Sequence, residues 1–194
     1  MLYTKRGAKF ACLVVAANVA NVNTDMKLDD IKPNDYTIHV DLDGVLADLE
    51  TYIEQVYGPI ERTADGGDWV NADEIFAALR EKGEPRFDKL DKLPDADQLW
   101  GYVRKYAPNI LSASGKPEKK NSAEKHKWVK EHFTGYGTIR TVVSSLEKAK
   151  YANPQAILID DRMKSIGPWR KAGGIGILHT SAAETIKELE KLGL

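Results

Sequence analysis

Cysteine is almost absent: Cys12 is the only one in 194 residues, so no disulfide within the chain can staple the fold, and the composition is compatible with a reducing compartment. An excess of either charge sign is also lacking. Lys and Arg number 28 against 29 Asp and Glu, a formal net charge of -1, so the chain as a whole does not attract a nucleic acid or an acidic membrane, and such a preference would need a local patch. The apolar run 10–20 is broken by Asn18 and is too short to span a bilayer. Internal repeats and low-complexity tracts are missing, and His39, His126, His132 and His179 show no metal-ligand spacing. What is present is an ordinary globular composition. Hydrophobic content of 42% is ample for a buried sheet, and the length suits one core domain with a modest insertion.

Residues 1–30 are expected to be an N-terminal extension, disordered or packed. Lys5, Arg6 and Lys9 precede the apolar run, no acidic residue occurs before Asp25, and Val15-Ala-Ala17 offers a weak small-x-small site, so a targeting peptide is the alternative. The expected location is cytoplasmic, or an organelle or the exterior if the first 20 residues are such a peptide.

The chain is organised around Tyr36-Thr-Ile-His-Val-Asp-Leu-Asp-Gly-Val-Leu-Ala-Asp48, an apolar run that ends in two carboxylates one residue apart. The alternation of Tyr36, Ile38 and Val40 predicts a buried strand, Gly44 allows a sharp exit, and a helical period begins at Leu46. Asp41 and Asp43 then stand at the strand's carboxyl tip, close enough to approach one small anion or one hard cation. A carboxylate of ordinary pKa is ionised at neutral pH and can attack phosphorus without a base to activate it. Two like charges about 4 Å apart repel by roughly 4 kcal/mol at an effective dielectric near 20, so such a site must recruit positive charge from elsewhere in the chain.

Beyond this stretch the periodicity predicts a helix over 47–57, stopped by Gly58-Pro59. Residues 60–107 carry no convincing strand, but a Gly-rich turn at Asp65-Gly-Gly-Asp68 and helices near 72–82 and 96–106. This segment reads as a small helical insertion. Then the α/β rhythm returns: a strand ending in Ile110-Leu-Ser-Ala-Ser114, a helix over about 123–133, a strand over 138–143, a strand Ala156-Ile-Leu-Ile-Asp160 ending in the second acidic pair Asp160-Asp161, a helix near 165–171, a strand over 175–179, and a last helix opened by the capping box Ser181-Ala-Ala-Glu184. Strands alternating with helices imply a Rossmann-like parallel sheet sandwiched by helices, with 31–48 and 108–194 as the core and 49–107 as the cap. Ligands in such folds bind beyond the carboxyl ends of the strands, which puts Asp41, Asp43, Ser112, Asp160 and Asp161 at one crevice.

Asp41-Leu-Asp43-Gly-Val-Leu, Ser112 after an apolar run, Lys125 at a helix start and Ile157-Leu-Ile-Asp-Asp161 together resemble the four motifs of the haloacid dehalogenase (HAD) superfamily of phosphatases. Phe87-Asp-Lys-Leu, Pro94-Asp-Ala96, the 13-residue step from Ser112 to Lys125, Glu124-Lys-His-Lys-Trp-Val129 and Ile159-Asp-Asp-Arg162 are similar to the 5'(3')-deoxyribonucleotidase branch. The resemblance covers roughly residues 36–180. It implies that Asp41 is the nucleophile forming an aspartyl-phosphate and that Asp43 protonates the leaving alcohol and then activates water. It further implies that Ser112 holds a phosphate oxygen and that Lys125 neutralises nucleophile and phosphate. Mg2+ would be bound by Asp41, Asp160 and the backbone carbonyl of Asp43, with Asp161 acting through water or hydrogen bonds. Ala113, Ser114 and Arg162 join the expected substrate contacts, and Phe87 and Trp69 are the expected base contacts of the cap. Lys148 and Lys150 are the second choice for charge neutralisation.

Competing readings are a calcium loop, which fails because the residues after Gly44 are apolar, and a receiver domain, whose phosphoacceptor would sit on a middle strand where Ser144-Ser145 stands instead. Residues 49–107 hold 13 acidic and 8 basic residues, a net of -5, whereas 116–132 hold six lysines against three glutamates. A small phosphorylated molecule fits that distribution better than a nucleic-acid end. The resemblance narrows that substrate to a nucleoside monophosphate and implies a second copy of the chain in a homodimer; no stable nucleic-acid partner and no membrane are expected. A phosphatase of sugar phosphates or of 3'-phosphate ends of nucleic acids, and a non-catalytic nucleotide-binding protein on the same scaffold, are the alternatives.

Overall fold

The computed structural model describes residues 35–63 and 69–194. The expectations for the N-terminal extension and its targeting signal, and for the turn at Asp65–Asp68, lie outside the described residues. In chain order the elements are β1 Thr37–Val40, α1 Leu49–Val56, α2 Ala72–Glu81, α3 Ala96–Val103, β2 Asn109–Ala113, α4 Glu118–His132, β3 Ile139–Val142, β4 Ala156–Asp160, α5 Met163–Lys171, β5 Ile175–Leu178 and α6 Ala182–Lys191. Short 3-10 turns occur at Phe87–Lys89, Arg104–Tyr106 and Ser145–Tyr151.

The five strands form one parallel sheet in the order β3-β2-β1-β4-β5. Val40 pairs with Ile110 on one side and Ile159 on the other, which fixes β1 as the central strand. Strand order reverses between β1 and β4, the switch point where a crevice opens in folds of this kind. Period-two alternation feeds two apolar layers. Ile38, Val40, Ile110, Ile157 and Ile159 pack with Trp128, Val129, Leu99, Val103 and Leu189 on one face, while Leu111, Ala156 and Leu158 pack with Ile166 and Trp169 on the other. Each fully buried aliphatic side chain contributes about 1.5–3 kcal/mol, so this sandwich is what holds the strand tips in register.

Within 49–107, α3 packs against α6, and Tyr102 Oη donates to the Leu194 carbonyl at 2.6 Å. The last helix of the insertion thus joins the core layer, whereas Leu49, Glu50, Arg62, Trp69, Phe76, Arg80 and Phe87 face the cavity at the strand tips. Helix α4 differs from its expected start: it begins at Glu118, not Ala123, and Lys125 lies in its middle. The first turn, Glu118-Lys-Lys-Asn121, has no apolar residue from which a period could be read, yet it is anchored by polar contacts: Asn121 Nδ2 donates to the Ser114 carbonyl at 2.8 Å and Lys120 Nζ to the Gly83 carbonyl at 2.8 Å. The capping box forms, with Ser181 Oγ accepting from the Glu184 N–H at 3.3 Å.

Candidate active site

The β1 ladder runs one residue past the strand, because the Asp41 N–H donates to the Ile159 carbonyl at 3.0 Å. The Leu42 carbonyl then accepts from the N–H groups of Val45, Leu46 and Ala47 at 2.8–3.1 Å, which folds the chain back on itself. Gly44 sits at φ +77°, and a Cβ there would lie 2.2 Å from Asp161 Oδ2. Glycine is required both for the left-handed backbone and for the contact between the β1 turn and the β4 tip.

Two buried lysines meet the two acidic pairs. Lys125, 1% exposed, donates to Asp43 Oδ2 at 2.5 Å, Ser112 Oγ at 2.9 Å and the Ala113 carbonyl at 2.6 Å, which uses all three of its N–H donors. Lys148, equally buried, reaches Asp41 Oδ2 at 2.7 Å and Asp160 Oδ2 at 2.6 Å. Lys150 instead is exposed and pairs with Glu147 at 2.8 Å. The sequence ranks Lys148 behind Lys125; the structure brings both to the carboxylates, one to each side. Lys148 lies on the 3-10 turn Ser145–Tyr151, too short for a hydrophobic period, and its sequence signal is its place just beyond the tip of β3.

The surroundings drive the four carboxyls in different directions. Burial works to raise Asp41, but Lys148 and Lys125, with hydrogen bonds from Lys148 and Ser112, outweigh it and hold this carboxyl below the ordinary range. Asp43 goes the other way: burial and the neighbouring Asp41 charge raise it against the pull of Lys125. Burial and the Asp41 charge push Asp160 up to about 6, and burial with the charges of Asp41 and Asp160 pushes Asp161 up to about 8. Lys148 is raised: burial opposes its charge, and Asp41 and Asp160 overcome that opposition.

Asp41, Asp160 and Asp161 each offer a carboxylate oxygen within 4.8 Å of the others. Asp161 Oδ1 and Asp43 Oδ1 are buried without a hydrogen-bond partner. Three carboxylates that converge, an unpartnered buried oxygen on Asp161, and four carboxyl groups against two buried ammonium groups fit a hard divalent cation such as Mg2+, which prefers oxygen donors and few protein ligands.

A cavity of about 550 Å³ opens on this centre. Ala113, Ser114 and Arg162 line it; Ser114 Oγ is turned away, donating to the Val142 carbonyl at 3.0 Å, and the Arg162 N–H donates to Asp160 Oδ1 at 3.0 Å. Ser112 is fully buried beneath, against Lys125. On the cap side Trp69 stacks on Phe76 with ring centroids 5.7 Å apart and planes at 12°. Phe87 is only 4% exposed, and its ring lies 4.5 Å from Lys125 Nζ. Asn121 and Ser165 also line the cavity, each buried with one side-chain oxygen unpartnered. Neither carries a sequence signal, since an isolated Asn or Ser in a polar stretch reads as a solvated helix residue.

No family model matches the sequence, and no curated protein matches it. Solved structures to which the chain is similar include a haloacid dehalogenase-like family protein from Streptococcus pneumoniae (16% identity, covering 80% of this chain and 91% of that one, TM-score 0.44). Others are a HAD-superfamily hydrolase from Ehrlichia chaffeensis (13%, 81% and 97%, TM-score 0.48) and an L-2-haloacid dehalogenase from Xanthobacter autotrophicus (13%, 72% and 75%, TM-score 0.43). These are distant likenesses, and the chemistry of this chain is decided by its own side chains.

Proposed function

We propose that this chain is a hydrolase of the haloacid dehalogenase type, a phosphomonoesterase that works through an aspartyl-phosphate. Within that class we assign it to the nucleotidases, with a nucleoside monophosphate, preferably a deoxynucleotide, as substrate. The observation that carries the class is geometric: Asp41 and Asp43 at the tip of β1 meet Lys148 and Lys125, and Asp160 and Asp161 converge on Asp41 from the tip of β4. The surroundings move Asp41 down and Asp43 up, the directions that suit a nucleophile and a proton donor.

In the first half-reaction an Asp41 oxygen attacks phosphorus, the bond from phosphorus to the leaving oxygen breaks, and Asp43 gives that oxygen its proton. In the second, the Asp43 carboxylate takes a proton from water as the water oxygen attacks phosphorus, the bond to Asp41 breaks, and inorganic phosphate leaves. Lys148 keeps Asp41 ionised. Lys125 orients Asp43 and Ser112 and adds positive charge from beneath the cavity floor. Asp41, Asp160 and Asp161 would hold Mg2+, with the Asp43 backbone carbonyl as a further ligand, and the bound ion supplies charge against the transferring phosphoryl group. The Trp69–Phe76 pair offers an aromatic wall to a base, and Arg162 lines the path to it.

The test is phosphate release from a panel of nucleoside 5'- and 3'-monophosphates, with Mg2+ and with chelator, for wild type and Asp41→Asn. Turnover that needs both Mg2+ and Asp41 is the expected result. Turnover of sugar phosphates or of 3'-phosphorylated oligonucleotides with none of the nucleotides would keep the class and discard the nucleotidase. Tight nucleotide binding without turnover would discard the enzyme.

A further inference from the structure

The three N–H donors of Lys125 are spent on Asp43, Ser112 and the Ala113 carbonyl, and the Phe87 ring lies 4.5 Å from the same ammonium. The ring is nearly solvent-free and its π-face carries partial negative charge, so it attracts the ammonium and keeps water from competing for it. Phe87 is itself gripped. Its N–H donates to Glu124 Oε2 at 3.0 Å, and Glu124 is the residue before Lys125 on α4.

The grip extends along the whole segment 83–90. Arg86 pairs with Glu124 at 3.4 Å and with Asp88 at 3.2 Å, and Lys127 pairs with Asp88 at 2.9 Å. Lys120 Nζ donates to the Gly83 and Pro85 carbonyls at 2.8 and 3.1 Å, and Trp128 Nε1 donates to the Leu90 carbonyl at 2.7 Å. Four side chains of α4 thus fix one aromatic ring against a fifth, Lys125.

We propose that Phe87 is a positioning residue: its ring, tied to α4 through Glu124, sets the place of the Lys125 ammonium against Asp43 and Ser112. Phe87 therefore acts through a lysine and not by stacking on a base. The kinetic part of this inference rests on the phosphatase reading above; the structural part does not.

Three ring variants of the full chain test it: Phe87→Leu, Phe87→Tyr and, as a second ringless side chain should leucine fail to fold, Phe87→Met. The first readout is the NMR signal of the Lys125 side chain, assigned with Lys125→Met. It is expected upfield in wild type under the ring, at the ordinary lysine position in Phe87→Leu, and back upfield in Phe87→Tyr. The second readout is kcat/KM on a nucleoside monophosphate and on ribose 5-phosphate, which carries no base. Both are expected to fall by the same factor in Phe87→Leu, about five- to thirty-fold and mainly in kcat, and to recover in Phe87→Tyr. An unmoved Lys125 signal in Phe87→Leu overturns the proposal. So does a loss confined to the nucleotide, which would make Phe87 a base contact, or a loss that tyrosine does not restore and that tracks the melting temperature. If wild type hydrolyses neither substrate, the phosphatase reading fails, and the Lys125 signal still decides this one.

Discussion

Lys148 pairs with Asp41 and Lys125 with Asp43, so under the proposed function the two lysines carry separable parts of the chemistry. Replacing Lys148 by Met leaves Asp41 and Asp160 facing each other with no ammonium between them. Breaking a buried pair from one side costs about 3–5 kcal/mol of stability, and losing a preorganised charge at the reacting group costs on the order of a hundred- to a thousandfold in turnover. Lys148→Met should therefore show both losses in denaturant unfolding and steady-state kinetics, whereas Lys150→Met should show neither; equal effects would contradict the assignment. A second residue effect concerns pH. Burial and the Arg140 charge hold His39 down to about 4, where its edge meets Trp169 behind the sheet. Between about 4 and 6.5 the unfolded chain binds a proton that the folded one does not, so the His39 contribution to stability is lost as pH falls through that window. Unfolding measured at pH 7 and pH 5 should show a smaller drop for His39→Leu than for wild type, and an identical drop would contradict the linkage.

The turn between β1 and α1 is the element on which the site depends most. Its central glycine touches Asp161 across the gap to β4, so a methyl group at Gly44 strains the backbone and displaces the carboxylate at once. Wild type should gain thermal stability with Mg2+, by about 2.7 kcal/mol at a hundred times the dissociation constant. Gly44→Ala is expected to lose that gain as well as turnover; a variant with the wild-type Mg2+ response would show that the turn does not place the cation ligands. Most of this turn was legible, because β-alternation and Asp-x-Asp-Gly are local signals; the helix, expected from Ala47, starts at Leu49 because the N–H groups of Val45, Leu46 and Ala47 turn back to the Leu42 carbonyl. The strand tips at Ser112 and Asp160 were legible for the same reason. The start of α4 was not, since its polar first turn is stabilised by contacts to residues 83–85 and 114 that are distant in sequence. Lys148 was only half legible: its burial depends on a non-periodic 3-10 turn folding under the tips of β1 and β4. The place of Phe87 against Lys125 is likewise a product of packing, and a lone aromatic outside a helix gives no hint of it.

Across the whole molecule, the reversal of strand order between β1 and β4 puts both acidic pairs side by side, and β2 with α4 brings Ser112 and Lys125 to them from the flank. The insertion supplies the opposite wall with Trp69, Phe76 and Phe87, and the cavity between has the size of a small phosphorylated molecule. Among the described residues no helix is long and apolar enough to cross a membrane. The proposed hydrolysis passes through one covalent step at Asp41, and the most direct test is to trap it. A reaction of the wild-type chain with a nucleoside monophosphate and Mg2+, quenched in acid within the first turnovers and digested, should yield the peptide containing Asp41 with one added phosphoryl group, and Asp41→Asn should yield none. An unmodified Asp41 peptide from wild type that is releasing phosphate would contradict the mechanism.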